Sequence, residues 1–561
     1  MKTNYLNAFL LLLIVLITLQ LRAQKSNPIN EVSIYEGIEF KMPKVKVTRF
    51  PDYEVIITDF GAKSGGLIKN TDAFAKAITE VSHKGGGKVI VPRGIWLTGP
   101  ITFKNNINLH LEEGALIVFS DDFDDYKLVK TSYEGLNTFR CISPINAVNL
   151  ENIAITGHGI IDGSGDSWRP LSNNQVSAPH WKKILDKGGV LSNDGKTWFP
   201  SEGAKKGYEN IKKNITPNDL NETDLNSIKD FLRPVMVSII NCQRVLLDGV
   251  TFQNSPAWNL HPLMCEDIII KNCTVRNTWY SQNGDGVDLE SCKNALIYNN
   301  TFDVGDDAIC IKSGKDKDGR DRGIPTTNVI VKNNVVYHGH GGFVIGSEMS
   351  GGVNNVHVSN CTFIGTDLGL RFKSTRGRGG VVENIYISNI NMIHILAEAI
   401  RFNMYYFSKE PVFDTLSGNS IEEPLVAVTD ETPSFRNIFM KNIIVSQSEI
   451  AGFFMGLPEM NLKNIVLENS VFETKKGIKI IDSDGFHLSN VKIIAADDFA
   501  LTVYNSKNIK STALWVDESK SAVKILGTKN KNIQFDKSDF VNLAQQILKG
   551  KEVDKEDLKF N

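Results

Sequence analysis

Cysteine is scarce in this chain, with seven among 561 residues, an odd number that cannot pair completely within one molecule. None stands at metal-ligand spacing. Cys242, Cys265, Cys273, Cys292, Cys310 and Cys361 lie in or beside apolar strand-like runs, which reads as buried free thiols with room for one or two disulfides. Positive charge is not in excess either. Lysine and arginine total 62 against 64 aspartates and glutamates, a formal net charge of −2, whereas a nucleic-acid partner usually calls for a basic face. Nucleic acid is therefore excluded as an expected partner. Long apolar runs are missing beyond the first residues, so no later stretch is expected to span a membrane.

The one such run, Ala8 to Ile17, stands between Lys2 and Ala23 in "MKTNYLNAFLLLLIVLITLQLRAQ". It reads as a secretory signal peptide over residues 1–23, cleaved near Ala23 or Gln24. A membrane anchor would need roughly 20 apolar residues, and no cysteine follows to carry a lipid. The expected location is secreted or periplasmic, with no membrane span after signal cleavage.

What is present is a repeat. "DIIIKNC", "ALIYNNT", "NVIVKNN", "NVHVSNC", "NIYISNI", "NIFMKNI" and "NIVLENS" alternate apolar and polar residues and then show an asparagine: Asn272, Asn299, Asn333, Asn360, Asn389, Asn442, Asn469. Successive gaps are 27, 34, 27, 29, 53 and 27. Period-two alternation means strand, and a repeat of this length means a solenoid or propeller. No "WD" or kelch signature occurs and no helix separates the strands. The expectation is an all-β, single-stranded, right-handed parallel β-helix, its asparagines laddered at a turn.

The ends read as caps. Residues 24–52 form an N-terminal segment, and "NTDAFAKAITEVSHKGGGKVIVP" predicts an N-capped helix with Phe74, Ile78 and Val81 on one face. The β-helix domain is expected over 53–535 and a helical C-terminal tail over 536–561. Alternation fails across 169–232, which predicts an insertion, either a lid or an irregular wall. The loops at 314–326 and 407–434 are expected to protrude.

Stacking the repeats aligns "DGVDLES", "DAICIKS", "GGFVIGS", "LGLRFKS" and "EAIRFNM". Val287/Leu289, Ile309/Ile311, Phe343/Ile345, Leu370/Phe372 and Ile400/Phe402 then point inward, and Lys312, Arg371, Lys373 and Arg401 outward on one face. Crowded cations either are neutralised by Asp288 and Glu290 or form a groove for an extended polyanion. The same alignment brings Asp307 beside Asp285, and Asp306 beside His340. Neighbouring carboxylates raise one another's pKa, so one can serve as acid while another serves as base. Glycoside hydrolysis needs that pair of roles.

"NGDGVD", "GDDAICIKSG", "GHGGFVIGS" and "RFK" together resemble the four signature blocks of glycoside hydrolase family 28, the polygalacturonases. The resemblance runs from about Val55 through "NSPAWNLHP" to the last coils. It implies hydrolysis of α-1,4-galacturonosyl linkages in pectin, with inversion and with no metal or other cofactor, on a pectic polysaccharide or oligogalacturonide. It further implies Asp306 as general acid, Asp285 and Asp307 as bases, His340 tuning the acid, and Arg371 and Lys373 holding a galacturonate carboxylate. The family's site tyrosine corresponds to Tyr406 or, by count, Tyr405. Gly284 replaces the usual threonine and Phe372 the usual isoleucine. Trp258 and His261 either line the glycone side or pack the core, and Arg320 and Arg322 are candidate sugar contacts. "GSEMSGG" further resembles the bacterial exo-acting branch. Rhamnogalacturonan or another pectin fraction, and endo action, stay open as alternatives. A lyase would call for a basic residue as base and usually calcium, and a non-catalytic binding module would not keep the carboxylates.

Overall fold

Asparagine shapes the corners of the coils. All seven repeat asparagines have φ between 48° and 58°, left-handed backbone that asparagine tolerates better than most residues. Their amides form ladders: Asn333 donates to Asn299 at 3.3 Å, Asn389 to Asn360 at 3.0 Å and Asn442 to Asn389 at 2.9 Å. A second, internal pair is buried. Asn334 Oδ1 accepts from Asn300 N and Nδ2 at 2.9 and 3.1 Å, and its own amide donates to Ile297 O.

The computed structural model describes residues 34–410, 425–496, 499–516, 522–536 and 547–560. Its N-terminal unit ends at Met42 and its described part, 34–42, holds no strand; the second unit starts at Pro43. The expected signal peptide lies outside the described residues. Among those described, 35 strands join in one system of parallel pairings. They stack in three columns. One column runs Val237–Ile240, Leu260–Leu263, Val287–Glu290, Ile309–Lys312, Phe343–Gly346, Leu370–Lys373 and Glu398–Asn403. The second includes Gln243–Asp248, Glu266–Lys271 and Lys293–Tyr298, the third Thr251–Gln253, Thr274–Arg276 and Thr301–Asp303. This is the expected parallel β-helix, right-handed as parallel crossovers are.

The ten residues expected to face inward are all fully buried. Burying such side chains in a continuous column is the main term holding the coils together. Phe372 stacks on Phe402, ring centroids 4.1 Å apart and planes 8° apart, and Phe402 on Phe454 at 5.1 Å. The phenylalanine at 372 thus belongs to an aromatic stack that an aliphatic residue would interrupt. All seven cysteines are buried and free.

The cap is a helix, Thr71–His83, with Phe74, Ile78 and Val81 buried as expected. Its N-terminus differs from the expectation: Asn70 makes no side-chain cap, because its amide and oxygen are taken by Lys63 and Ile68 of the preceding loop and by Leu97 of the later strand Gly94–Thr98. At the other end, 537–546 lies outside the described residues. The described part of the expected helical tail is strand: Ile547–Lys549 and Leu558–Phe560 extend two of the columns.

The 169–232 insertion is folded rather than irregular. It holds helices Ala178–Asp186, Glu202–Lys212 and Glu222–Ser227 and a three-stranded antiparallel sheet. Leu171, Ile184 and Trp198 form its small core, with Trp181 and Tyr280 packed against it. A second cluster of Leu225, Ile228 and Leu232 packs on an antiparallel hairpin, Leu128–Tyr133 with Leu136–Cys141. No described helix is long and apolar enough to cross a membrane.

Candidate active site

Coil stacking assembles the site. Gly286 N donates to Asp307 O, Ala308 N to Gly341 O and His340 N to Asp306 O, so the turns entering three adjacent strands lie one above another. One carboxylate oxygen from each of Asp285, Asp306 and Asp307 lies within 4.8 Å of the others. Asp285 and Asp307 are 3% and 1% exposed, whereas the Asp306 and His340 side chains are 24% and 53% exposed. Asp306 is therefore the carboxyl that a bulky substrate can touch. His340 Nδ1 stands 3.5 Å from Asp306, and its Nε2 3.5 Å from Asp367. Gly284 fits tightly here, since a Cβ at that position would overlap Ser281 Oγ.

The three carboxyls differ in charge state. Burial pushes Asp307 up, but Lys373, Arg371 and Lys312 outweigh it and hold it far below the ordinary range. Lys373 Nζ donates to Asp307 Oδ2 at 2.6 Å and Arg371 to Oδ1 at 3.1 Å. Burial, and then Asp307, hold Asp306 above its ordinary value, with His340 and Lys373 opposing. Asp285 is held well above it by burial, Asp288 and Asp306. Asp307 is thus the carboxyl held most firmly in its ionised form, while Asp306 and Asp285 hold a proton more tightly than an ordinary aspartate. Asp307 has two cations in contact.

The outward cations form no open strip. Lys312 is buried, 2.7 Å from Glu348 and 3.5 Å from Asp288, its ammonium 4.7 Å from the Trp258 ring. Arg401 pairs with Glu398 and Glu410. Glu290 neutralises none of the four; it binds His261 at 2.8 Å and Arg322 at 2.6 Å. Trp258 and His261 are 2% and 1% exposed, so both lie behind the site wall rather than on its surface. Arg320 is engaged with Asp430 and Glu431. The tyrosines separate cleanly. Lys373 and Arg371 lie 5.0 and 5.6 Å from the Tyr406 ring, while Tyr405 is buried.

Two cavities open at coils near the aspartates, neither lined by the three aspartates themselves. One, about 330 Å³, is lined by Arg371, Lys373, Arg401, Tyr406, Phe407 and Glu410 among others. The other, about 390 Å³, is walled by the 128–141 hairpin, by Tyr208, Asn218 and Phe231 of the insertion, and by Gln282 and Asn283, just before Asp285. Its wall is stitched together: Tyr208 donates to Gln282, Asn218 to Asn137 O, and Asn137 N to Asp318 of the 314–326 loop.

Sequence reasoning missed Asp367, Glu348 and the hairpin. Asp367 was within reach, because counting back from Leu370 in register with Phe343 and Ile309 puts it in the column of His340 and Asp306. "YEGL" was the hairpin's signal, with Glu134 and Gly135 both at positive φ.

A family model described as glycosyl hydrolases family 28 matches residues 221–429. The crystal structure of a hyperthermoactive exopolygalacturonase from Thermotoga maritima is 32% identical, covering 85% of this chain and 94% of that one at a TM-score of 0.65. The family 28 exopolygalacturonase of Yersinia enterocolitica shares the fold at 22% identity, covering 82% and 78% at a TM-score of 0.60. An exo-poly-alpha-D-galacturonosidase of Dickeya chrysanthemi is 27% identical over 424 residues, 71% of this chain and 67% of its own length. With the aspartate column, its histidine and the "RFK" strand assembled at one place on a β-helix of this extent, the chain belongs to glycosyl hydrolase family 28.

Proposed function

We propose that this glycoside hydrolase is an exported polygalacturonase that cleaves α-1,4-galacturonosyl linkages from a chain end. The observation that carries the reading is a cavity walled by the insertion and hairpin that reaches Gln282 and Asn283, just before Asp285. A β-helix groove is open at both ends by default; here one end is built over. Arg371 and Lys373, with Tyr406 beside them, stand on the opposite side, where the galacturonate carrying the leaving oxygen would lie. Their presence favours polygalacturonate over rhamnogalacturonan.

In the reaction, Asp306 gives its proton to the glycosidic oxygen as the C1–O bond breaks. A water attacks C1 and passes its proton to Asp307, whose carboxylate keeps lone pairs free beyond those used by Arg371 and Lys373. Asp285, the other carboxyl expected to activate that water, stands beside Asp307 with one oxygen within 4.8 Å. His340, held between Asp306 and Asp367, sets the protonation of the acid, while Lys312 and Arg401 position carboxylates around the site.

The stereochemical outcome needs separate argument. Oxygens within 4.8 Å are closer than the roughly 6.5–9.5 Å of inverting pairs and nearer the roughly 5–5.5 Å of retaining ones. A retaining enzyme, however, must present its nucleophile to a sugar carbon. Asp285 and Asp307 are too deeply buried for that, which supports reading them as groups that act on a water and the reaction as inverting. Proton NMR during early hydrolysis of oligogalacturonate should show the β-anomer of the new reducing end first; α-anomer first would contradict it, and unsaturated products would point to elimination instead. Export rests on residues 1–23, and N-terminal sequencing of protein recovered outside the cytoplasm should begin near Gln24; an intact Met1 there would contradict cleavage.

A further inference from the structure

Nearly every cation around the reacting groups has a carboxylate partner. Arg140 does not. It stands on the hairpin strand Leu136–Cys141, 8% exposed, and lines the cavity beside the Asp285 turn. Its Cζ stands over the ring of Tyr133, 3.5 Å from the centroid, and its Nε has no hydrogen-bond partner. Arg233, 5% exposed, lines the same cavity and donates to neutral oxygens: Pro256 O, Gln282 O and Asn283 Oδ1. The two cations are near enough to repel. Lys315 adds a third positive group, and Glu134 is the single acid among the lining residues.

Burying a guanidinium without an anion is costly, and arginine does not escape by losing its proton. Burial weakens Arg140's hold on its proton, with Tyr133 and Glu134 opposing, but no carboxylate among the described residues stands in ion-pair contact with it. An arrangement of this kind is stabilised when a carboxylate enters, because the guanidinium fork matches a carboxylate with two parallel hydrogen bonds. Tyr133, already stacked on Arg140 and tilted against Trp258 at 5.0 Å, holds the fork in place at its inner face. The cavity reaches the coil of Asp285, while Arg371 and Lys373 belong to a coil further along the stack, beyond Asp307; with the leaving side at Arg371 and Lys373, it would face the glycone half of a bound chain.

We infer that Arg140 recognises the carboxylate of the uronate at the non-reducing end, making this cavity the closed seat for the terminal sugar. This rests on the polygalacturonase reading and adds to it a specificity-determining residue. Closure alone would exclude longer chains; a buried cation also demands that the sugar seated there be charged. A neutral hexose, or a uronate masked as its methyl ester, would leave Arg140 buried and unpaired.

The test compares two trisaccharides that differ only at the non-reducing terminal residue, a free uronate in one and its methyl ester in the other. The wild-type enzyme should prefer the free acid in kcat/KM by about 10- to 100-fold, the size of a charge-assisted contact. Arg140→Gln should collapse that ratio to near one, and Arg140→Lys, which keeps charge but loses the fork, should give an intermediate ratio. A wild-type ratio near one overturns the assignment without any variant being needed. So does an Arg140→Gln enzyme that loses activity on both substrates and keeps the ratio, since that is what a merely structural role predicts. Failure to hydrolyse any oligogalacturonate would instead overturn the wider reading, and this one with it.

Discussion

Asp306→Asn should lower kcat on polygalacturonate by about 10²- to 10⁴-fold, the usual worth of a positioned general acid, with unfolding unchanged. Asp306 Oδ1 accepts from Asp307 N at 2.9 Å, and an asparagine oxygen can accept the same bond. The turn therefore survives while the transferable proton is lost. The pH profile carries the sign. Burial and Asp307 hold the Asp306 carboxyl above its ordinary value against His340, so it stays protonated where a free aspartate would have ionised. Wild-type activity should fall as pH rises through that raised value, and the variant's residual activity should lack this alkaline limb. Near-normal turnover in the variant, or an alkaline limb that persists unchanged, would move the acid's role to another group.

Lys312→Met should cost about 3–5 kcal/mol of stability at neutral pH, the range for breaking a buried ion pair by removing one partner. Lys312 is the ammonium to which both Glu348 and Asp288 turn. Methionine fills the space but leaves the Glu348 carboxylate buried without it, while burial already holds Asp288 well above its ordinary value. Glu348 is buried, which raises it, but Lys312 and Lys373 prevail and hold it below its ordinary value. A depressed carboxyl stabilises the fold above its unfolded pKa and loses that contribution as pH falls. The variant's deficit should thus be largest near neutrality and shrink below the ordinary glutamate range, where protonation relieves the orphaned charge. Adding Glu348→Gln to Lys312→Met should recover part of the loss. Urea unfolding at two pH values checks both statements; a deficit under about 1 kcal/mol, or one that grows in acid, would contradict them.

These two residues show where the sequence was legible and where it was not. Alternation placed Lys312 outward and Ile309 and Ile311 inward, and both placements hold. Outward did not mean exposed, however. Alternation fixes the face of a strand but says nothing of what covers that face, and here Trp258, Glu348 and the hairpin bury it. Trp258 and His261 were ambiguous for the same reason. The aspartate column was legible because stacked coils turn sequence spacing into spatial proximity, and Asp367 could have been counted into it. The insertion was not legible. Its helices are short, its polar residues give weak periodicity, and they are held by packing against the hairpin and the 280–282 turn rather than by local preference. Asn70 looked like a helix cap, but four backbone groups of a neighbouring loop and strand compete for its side chain.

A groove closed at one end obliges the enzyme to work from a chain end, and the product profile and viscosity of long polygalacturonate at early time decide whether it does. Monomer or dimer should be released while viscosity falls little, because each cut shortens a chain by only its terminal sugars. A rapid drop in viscosity with a ladder of mid-sized oligomers would mean that the chain passes through the walled end and that the groove is open.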